Sequence, residues 1–430
     1  MNKEEIYNLC NRISKKEDVE FIYSARKNES IKVEMFDITK TSNIESATLY
    51  IRVIVNGQVG TYTINEITEA KIKAGIAKAK KIASLKNDLR IPDFGNARTK
   101  LKINYDEDIK HIDFSSLIPV IKKELKKDKY ITSYEGGCSK IDKYSFYINS
   151  HFETFDEQSL ISVGVNISTK YKNPSSGSYS DVFTTAEDIN IQTTFNQAKH
   201  DANLLLNPLD GKKGEYTLIF TPDVFADILS GLIIPATIGE TIEKKESYLH
   251  SYVGKRVFSK NLTINEEPHL DDFLGSSIID DEGFRTQKKT IFDNGIFETP
   301  IYDQYNAIKY NKKITGNGFR AGSQTICSHT NLIQLPGSEG IEDIISKTKK
   351  GILVYSLLGM HTNKITTGDF SLVIAAGKEI INGDFGNTVT NLTFTGNLID
   401  AFKDMYFSKE QKFFGNGVYS FGIIPKFKLL

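Results

Sequence analysis

The sequence contains little cysteine and no excess of charge of either sign. Three of its 430 residues are cysteine, namely Cys10, Cys138 and Cys327. An odd number of widely spaced cysteines is unlike a disulfide framework and favours a reducing compartment. Lysine plus arginine and aspartate plus glutamate both number 54, so the formal net charge is zero. Because a dedicated nucleic-acid-binding protein carries a basic excess, we expect no nucleic-acid partner.

Long apolar segments are missing as well. The longest apolar stretch runs from Ile228 to Gly239 and contains Pro235. A membrane-spanning helix needs about twenty consecutive apolar residues, so we expect no membrane span and no membrane partner. The first eighteen residues alternate acidic and basic side chains and lack the apolar centre of a signal peptide. These absences together predict a cytoplasmic protein.

In the first half of the chain the apolar pattern predicts helices and strands in alternation. Apolar residues recur at helical spacing over 3–17 and from Thr68 to about Leu85. Apolar and polar residues alternate from Ala47 to Ile64 around Asn56-Gly57, which predicts a hairpin with a type I′ turn. Further helices are predicted over 114–127 and 188–205, strands over 144–148 and 159–169, and an exposed turn or loop over 172–178.

From Gly214 onward the pattern changes. Residues 215–220 predict a short apolar strand, and Thr221-Pro222-Asp223 predicts the start of a helix that runs toward Pro235. Beyond Ser259 strands and turns dominate, with one helix predicted over 340–350. We therefore predict an α+β fold, with an N-terminal mixed α/β domain followed by a mostly antiparallel β C-terminal domain. The predicted domains span residues 1–207 and 214–430.

Familiar catalytic motifs are absent from the sequence. There is no Cys-x-x-Cys pair, no Gly-x-Ser-x-Gly elbow and no Walker loop. A zinc site on one helix needs two histidines four residues apart. No two of the seven histidines have this spacing: His111, His151, His200, His250, His269, His329 and His361. A metal site built from distant His, Asp and Glu residues remains an open alternative.

Two further alternatives stay open from the residues themselves. Cys327 with His329 or His361 could form a thiol–imidazole pair, because a nearby base activates a thiol. The competing interpretation is a structural thiol on a strand. The acidic run Asp280–Glu282 could bind a hard cation. The competing interpretation there is a tight turn before Gly283.

Several segments, taken in order, resemble the TldD/PmbA (TldD/TldE) family of protease-complex proteins. In the first half the resemblance covers residues 51–60 and the following helix to Ala83. In the second half it covers 214–222, 247–259, 280–286, 294–295, 315–320 and 357–371. Each motif alone consists mostly of glycine, aspartate and turn residues. Their common order over about residues 45–400 identifies the chain as a member of the family.

The sequence departs from the catalytic members of that family at one motif. The catalytic members of the family that this chain resembles carry the motif His-Glu-x-x-x-His. In that motif the histidines bind zinc and the glutamate is the base. The equivalent positions here fall at about Ser230, Gly231 and Pro235. None of the three can bind zinc or accept a proton, and Pro235 should break the helix. The resemblance therefore implies a PmbA/TldE-type member without catalytic residues, metal or cofactor of its own.

The same resemblance implies a role and a site. The chain would be a non-catalytic subunit of a cytosolic metalloprotease complex that degrades or matures unfolded peptides, closing the cavity and presenting the extended substrate. Its partner would be a zinc-bearing TldD-like paralogue or a second copy of itself. The alternatives are a stand-alone peptidase with a non-standard site and a homodimeric peptide-binding protein.

The resemblance also implies which residues line the peptide cavity: Gly316, Asn317, Arg320, His361 and Thr362. Arg320 could bind a peptide carboxylate or carbonyl, or it could form a salt bridge to the Asp280–Glu282 turn. His361 could face the peptide, or it could cap a turn.

Overall fold

The computed structural model describes residues 1–35, 37–87, 89–97, 103–113, 116, 118–125, 130–170, 174–321, 324–362 and 364–430. Two sheets dominate the fold, one from each half of the chain, and a two-stranded ribbon stands beside them. No helix within the described ranges is long and apolar enough to cross a membrane.

The N-terminal sheet has six strands in the order β3-β2-β1-β4-β5-β6. Its strands are β1 (Val19–Glu34), β2 (Asp37–Val55), β3 (Gln58–Ile64), β4 (Ile131–Ile148), β5 (Glu153–Lys170) and β6 (Pro174–Phe183). The helices of this half are α1 (Lys3–Ser14), α2 (Glu69–Leu85), α3 (Asp108–His111), α4 (Ile118–Leu125) and α5 (Ile191–Leu204). Every neighbouring pair of strands in this sheet is antiparallel.

Helices cover one face of the N-terminal sheet and leave the other face for the second half of the chain. Phe21 and Tyr23 of β1 share a core with α1 and α2, and Ile31 and Val33 of β1 share a core with α5. These four residues lie at odd positions of one strand, so both helical layers pack on the same face. The opposite face of β1, β4 and β5 turns toward the C-terminal sheet.

The hairpin predicted around Asn56-Gly57 is present. Asn56 has φ 52° and Gly57 has φ 79°, as a type I′ turn requires. The helix that follows packs on this hairpin, and its N-cap is Thr68, whose hydroxyl accepts from the Lys71 N–H. Gly60 permits the close approach of α2, because a Cβ there would lie 1.9 Å from the Ala79 carbonyl oxygen.

The C-terminal sheet is larger and mostly antiparallel. Its strands are β7 (Leu209–Asp210), β8 (Gly214–Phe220), β9 (Ile264–Glu266), β10 (Lys289–Asp293), β11 (Ile296–Phe297), β14 (Leu332–Gln334), β15 (Lys350–Leu358), β16 (Asp369–Ile381), β17 (Asp384–Thr390), β18 (Leu392–Asn397), β19 (Tyr406–Phe413) and β20 (Gly417–Leu429). The separate ribbon is β12 (Gly318–Ala321) with β13 (Gln324–Cys327). The strand order is β11-β10-β9-β14-β20-β8-β15-β16-β17-β7, with β18 beside β16 and β19 beside β20.

Short helices complete this half. They are α6 (Pro222–Ile228), α7 (Gly239–Glu243), α8 (Gln304–Lys309), α9 (Ile341–Lys347) and α10 (Leu398–Phe402). Helix α6 packs into the apolar core beneath the sheet, where Phe225 contacts Phe407 with ring centroids 5.1 Å apart. The α+β class predicted from the sequence is confirmed. The one helix predicted beyond Ser259 corresponds to α9, and two further helices in that region, α8 and α10, were not predicted.

The two sheets draw on separate stretches of the chain. The first ends with β6, and the second begins with β7, which lies between the two predicted domains and pairs with β17. We keep the division into 1–207 and 214–430 as a proposal. The halves meet closely where the Gly95 N–H donates to the Glu282 carbonyl at 3.1 Å. A Cβ on Gly95 would lie 2.2 Å from the carbonyl carbon of Gly283, so this contact requires glycine.

Candidate functional site

A cleft of about 1270 Å³ lies between the two sheets. One wall comes from β4, β5, β6 and α5 of the N-terminal half. The other comes from α6 and strands β14, β15 and β20 of the C-terminal half. Clefts of this size between domains are common places for ligand binding.

Strand β6 forms a rim of the cleft. All five residues from Ser176 to Ser180 line the cleft, and β6 is the last strand in the order of the N-terminal sheet. The sequence analysis placed an exposed loop over 172–178; this prediction was wrong from Pro174 onward, and 171–173 lie outside the described residues. An edge strand offers backbone N–H and C=O groups with which an extended peptide can pair.

The helix expected to carry the zinc motif lies on the opposite wall. Helix α6 ends at Ile228, and the chain continues as a π-helical turn (Leu229–Ile233) and a 3₁₀ turn (Ile234–Thr237). The Ile234 N–H bonds the Leu229 carbonyl, which is the spacing of a π-helix. Pro235 has no N–H to continue the α-helical pattern. The predicted break is therefore present, although it begins before the proline.

The residues at the zinc-motif positions lie at or near the cleft. Ser230 is exposed and lines the cleft, and its hydroxyl donates to the Asp227 carbonyl oxygen at 3.2 Å. Gly231 faces Met360, whose Cβ would be 3.6 Å from a Cβ at this glycine. None of these groups is a zinc ligand. The site does not fit the zinc ion that the family's catalytic members would hold.

His329 also lies in the floor of the cleft, but both of its ring nitrogens are engaged. Its Nδ1 is 3.0 Å from a carboxylate oxygen of Glu266, and its Nε2 is 2.9 Å from the Thr237 hydroxyl. Across the described ranges no three His, Cys, Asp or Glu side chains come together as a metal site.

Glu266 organises the residues behind this floor. It is fully buried and accepts hydrogen bonds from Asn317, His329, Lys289 and both the N–H and the hydroxyl of Thr330. Burial alone would raise the pKa of Glu266, but these partners, His329 and Lys289 foremost, lower it to about 2. The carboxylate is thus the centre of a buried polar network.

Asn317, which the resemblance placed in the cavity lining, belongs to this network. It has no exposed surface, and its amide donates to Glu266 at 2.8 Å and to the Ser328 carbonyl at 2.9 Å. It therefore lies one layer behind Ser328 and His329, which do line the cleft. Gly316 is also buried, has φ 70°, and leaves no room for a Cβ, which would be 2.3 Å from the Arg285 carbonyl oxygen.

Arg320 lies apart from the cleft, in a cluster of buried charges between the two halves. Its guanidinium is 3.5 Å from a carboxylate oxygen of Glu20, and its main-chain N–H donates to Asp281 at 2.8 Å. The guanidinium also faces the Tyr50 ring, with 5.4 Å to the centroid. The structural interpretation of Arg320 is therefore favoured, with Glu20 rather than the Asp280–Glu282 turn as the side-chain partner.

The same cluster contains Arg52 from β2. Its Nε lies 2.9 Å from one Glu20 oxygen, and its Nη2 donates to the other at 3.2 Å. Its Nη1 is 3.4 Å from Glu282. The Tyr147 hydroxyl also donates to Glu20. Burial raises the pKa of Glu20, and it raises the pKa of Glu282 to about 7, although Arg52 opposes both effects.

The acidic run before Gly283 forms a turn. One oxygen of Asp280 accepts from the Glu282 and Phe284 N–H groups at 3.0 and 2.9 Å, and the other accepts from Gly318 at 3.0 Å. Gly283 has φ 84°, which favours glycine. The carboxylate of Asp280 is thus occupied by backbone donors, which supports the turn over a cation site.

His361 lies in a 3₁₀ turn, Met360–Thr362, directly after β15. This turn packs on the π-helical turn through Met360 and Gly231. His361 is exposed and is not among the residues that line the cleft. The side chain of Thr362 lies outside what the structure describes. The structure therefore brings the 360–362 turn close to Gly231, one of the zinc-motif positions. Residues 316–320 do not lie beside that position.

Three carboxylates near α6 were not singled out by the sequence analysis. Asp223 pairs with Lys412, whose Nζ is 3.0 Å away and also donates to the Tyr179 hydroxyl. Asp227 lies one turn further along, and Asp201 approaches from α5. Burial raises the pKa of Asp227 and of Asp201, and Asp223 adds to both effects. Two aspartates four residues apart on a helix were the available sequence signal.

Thiol chemistry at Cys327 is expected to be absent at neutral pH. Burial raises the pKa of Cys327 well above its ordinary value, and it raises those of Cys10 and Cys138 to about 12 and about 11. The reactive thiolate is therefore rare in the folded chain. We expect iodoacetamide at neutral pH to modify the folded chain at less than about a tenth of the rate seen in urea.

Mass spectrometry of the tryptic peptides measures this reactivity site by site. The urea-unfolded chain, in which all three thiols are open, is the reference for full reactivity. Fast alkylation of Cys327 alone in the folded chain would restore the thiol–imidazole alternative.

Comparison with known proteins gives the family. Family models match the chain for PmbA/TldA metallopeptidase domain 1 over residues 19–83 and for the PmbA/TldA metallopeptidase C-terminal domain over residues 213–427. An uncharacterized protein of Methanocaldococcus jannaschii is 27% identical over 366 residues, 82% of each chain. A metalloprotease PmbA homolog of Haemophilus influenzae is 33% identical over 200 residues, 46% of this chain and 42% of that protein.

The fold is shared with solved structures. TldE from Thermococcus kodakarensis matches with a TM-score of 0.84 at 23% identity, covering 99% of both chains. A Thermotoga maritima protein named as a modulator of a DNA gyrase matches with a TM-score of 0.88 at 20% identity, covering 100% of both. The C-terminal family model alone spans half of the sequence. The chain belongs to the PmbA/TldD metallopeptidase family.

Proposed function

We propose that this chain is a metal-free subunit of a cytoplasmic TldD/TldE-like peptidase complex. In this role it holds an extended, unfolded peptide in the cleft between its two sheets, while a zinc-bearing paralogue supplies the chemistry. The proposal combines family membership with the residues at the zinc-motif positions, Ser230, Gly231 and Pro235. A homodimer remains the alternative assembly.

One observation carries the proposal: one wall of the cleft has a sheet edge that pairs with no further described strand, and the other wall has the residues at the zinc-motif positions. Residues 176–180 of β6 line the cleft opposite Ser230. A peptide added to β6 would gain main-chain hydrogen bonds irrespective of its sequence, as a general peptide-holding site needs. The same peptide would pass the turn that carries zinc ligands in catalytic relatives.

The side chains on this wall favour binding of a peptide over its hydrolysis. Among the described residues the Ser230 hydroxyl bonds a backbone carbonyl and not a base that could activate it. Its neighbour Gly231 has no side chain that could take a proton. His329 is held by Glu266 and Thr237 and is not free to move toward a substrate. A stand-alone peptidase would need groups that this wall does not offer.

The test is reconstitution of peptide hydrolysis with a zinc-bearing paralogue from the same organism. The chain alone should contain no stoichiometric zinc by elemental analysis and should not cleave an unfolded peptide. The mixture should cleave it and lose activity on chelation. In the mixture, Ser230→Trp should lower turnover about ten-fold, because the indole would occupy the cleft.

Ser346→Trp is the matched control. Ser346 is also an exposed helical serine whose hydroxyl donates to the carbonyl three residues earlier, but it lies on α9 outside the cleft. This control should retain the turnover of the unsubstituted complex. Hydrolysis by the chain alone, or equal turnover with both tryptophan variants, would contradict the proposal.

A further inference from the structure

The described residues that line the cleft carry charges of one sign. Four of them are acidic, namely Glu135, Asp201, Asp223 and Asp227, and none of these described residues is lysine or arginine. Two of the carboxylates form ion pairs with lysines that do not themselves line the cleft. Glu135 pairs with Lys32 at 2.6 Å, and Asp223 pairs with Lys412 at 3.0 Å. No described lysine or arginine forms an ion pair with Asp201 or Asp227, although His200 and Lys412 act on Asp201 at longer range and oppose the rise in its pKa.

The two remaining carboxylates differ in what they contact. Asp201 accepts a hydrogen bond from Gln197 at 3.0 Å, whereas no described residue bonds the carboxylate of Asp227. Asp223 lies close enough to both carboxylates to raise their pKa values, which places the three in one group where α5 faces α6. A cation that enters from outside reduces the repulsion between like charges in a partly buried site. Their placement on the two walls suits a side chain that enters between the walls.

A second observation points to a ligand at the same place. Tyr419 lines the cleft and is only 7% exposed, yet no described residue hydrogen-bonds its hydroxyl. The hydroxyl itself is accessible rather than enclosed, so it is available to a ligand carbonyl in the cleft. Tyr419 is the cross-strand neighbour of Lys412, which contacts Asp223 on α6. The unpartnered hydroxyl and the carboxylates thus belong to one continuous surface.

We propose that the cleft selects extended peptides that carry a lysine or arginine side chain, with the cation bound between Asp227 and Asp201 and a peptide carbonyl accepting from Tyr419. This inference rests on the proposed peptide-holding function and specifies its substrate class. It assigns different effects to the two kinds of residue. The carboxylates discriminate between peptides by charge, and the tyrosine adds binding that all peptides share.

The experiment uses the full chain and three fluorescent peptides that differ only at a central lysine, norleucine or glutamate. Fluorescence anisotropy should show the lysine peptide binding about ten-fold more tightly than the norleucine peptide, as expected for a hydrogen bond to a charged group. Asp227→Asn should remove most of this preference, because it should weaken the lysine peptide far more than the norleucine peptide. Tyr419→Phe should weaken all three peptides by a similar factor.

Asp384→Asn is the matched control, because Asp384 is an exposed aspartate on β17 outside the cleft. It should behave like the unsubstituted chain, and added salt should reduce the lysine preference. Equal affinity for the three peptides, or equal behaviour of the two asparagine variants, would overturn the charge selectivity while leaving peptide binding intact. Binding of none of the three, by the chain or by its complex, would overturn the proposed function itself.

Discussion

Replacement of Arg52 by methionine is expected to lower the free energy of unfolding by about 3–5 kcal/mol. Arg52 contributes 4% of its side chain to the surface and holds both carboxylate oxygens of Glu20, which is fully buried. Without it, the partners that Glu20 retains among the described residues are the more distant guanidinium of Arg320 at 3.5 Å and the Tyr147 hydroxyl. A buried carboxylate deprived of its main partner is among the most costly single changes in a protein.

Urea unfolding of the whole chain, followed by circular dichroism, measures this effect. Arg12→Met is the control, since Arg12 is exposed on α1, and it should change stability by less than about 0.5 kcal/mol. Adding Glu20→Gln to Arg52→Met should recover part of the loss, because no buried carboxylate then remains unpaired. A loss no larger than that of Arg12→Met would show that the cluster does not stabilise the interface.

Replacement of Glu266 by glutamine is expected to remove roughly 3 kcal/mol of stability at neutral pH. The folded-state pKa of Glu266 is lowered to about 2, below its unfolded value of about 4.5. Its contribution is therefore present above pH 4.5 and disappears as the pH falls toward 2. A glutamine would also direct an N–H₂ group at one pair of donors, either Lys289 and His329 or the Thr330 groups.

The pH dependence separates this effect from simple loss of packing. Urea midpoints of the unsubstituted chain and of Glu266→Gln should converge as the pH is lowered from about 5 to about 2. Glu298→Gln is the control, because Glu298 is exposed, and its difference from the unsubstituted chain should stay small throughout. A gap between the two chains that does not narrow at low pH would mean that the Glu266 charge is not what stabilises the network.

Local patterns in the sequence were sufficient for much of the fold. The hairpin at Asn56-Gly57 and helix α2 were predicted because their signals are local. The hairpin is indicated by two residues that tolerate positive φ, and the helix by apolar residues that recur every three to four positions. Strand β1 was not predicted, since its second half, Arg26–Ser30, carries almost no apolar residue. That segment is held between β2 and β4, so long-range pairing overrides its composition. Strand β6 was missed for the same reason.

The site was predictable only in part. The altered zinc motif could be placed because it follows a recognisable strand and helix start, and Ser230 does line the cleft. The position of Arg320 could not be inferred, because its partner Glu20 lies some 300 residues earlier in the chain. Tyr419 gives no local signal, since an aromatic residue on a strand usually belongs to the core. Only the approach of the two sheets makes its hydroxyl a feature of the cleft.

The position of the last strand has a consequence for how the chain reaches its folded state. Strand β20 lies between β14 and β8, and Gly214 pairs with Leu429 near the end of the chain. During synthesis β8 therefore leaves the ribosome long before one of its two neighbours exists. Its apolar residues Leu218, Ile219 and Phe220 stay open to other chains until β20 has been synthesised, and the closing contact spans nearly the whole C-terminal half. Slow completion and a need for protection of the nascent sheet are thus built into the topology.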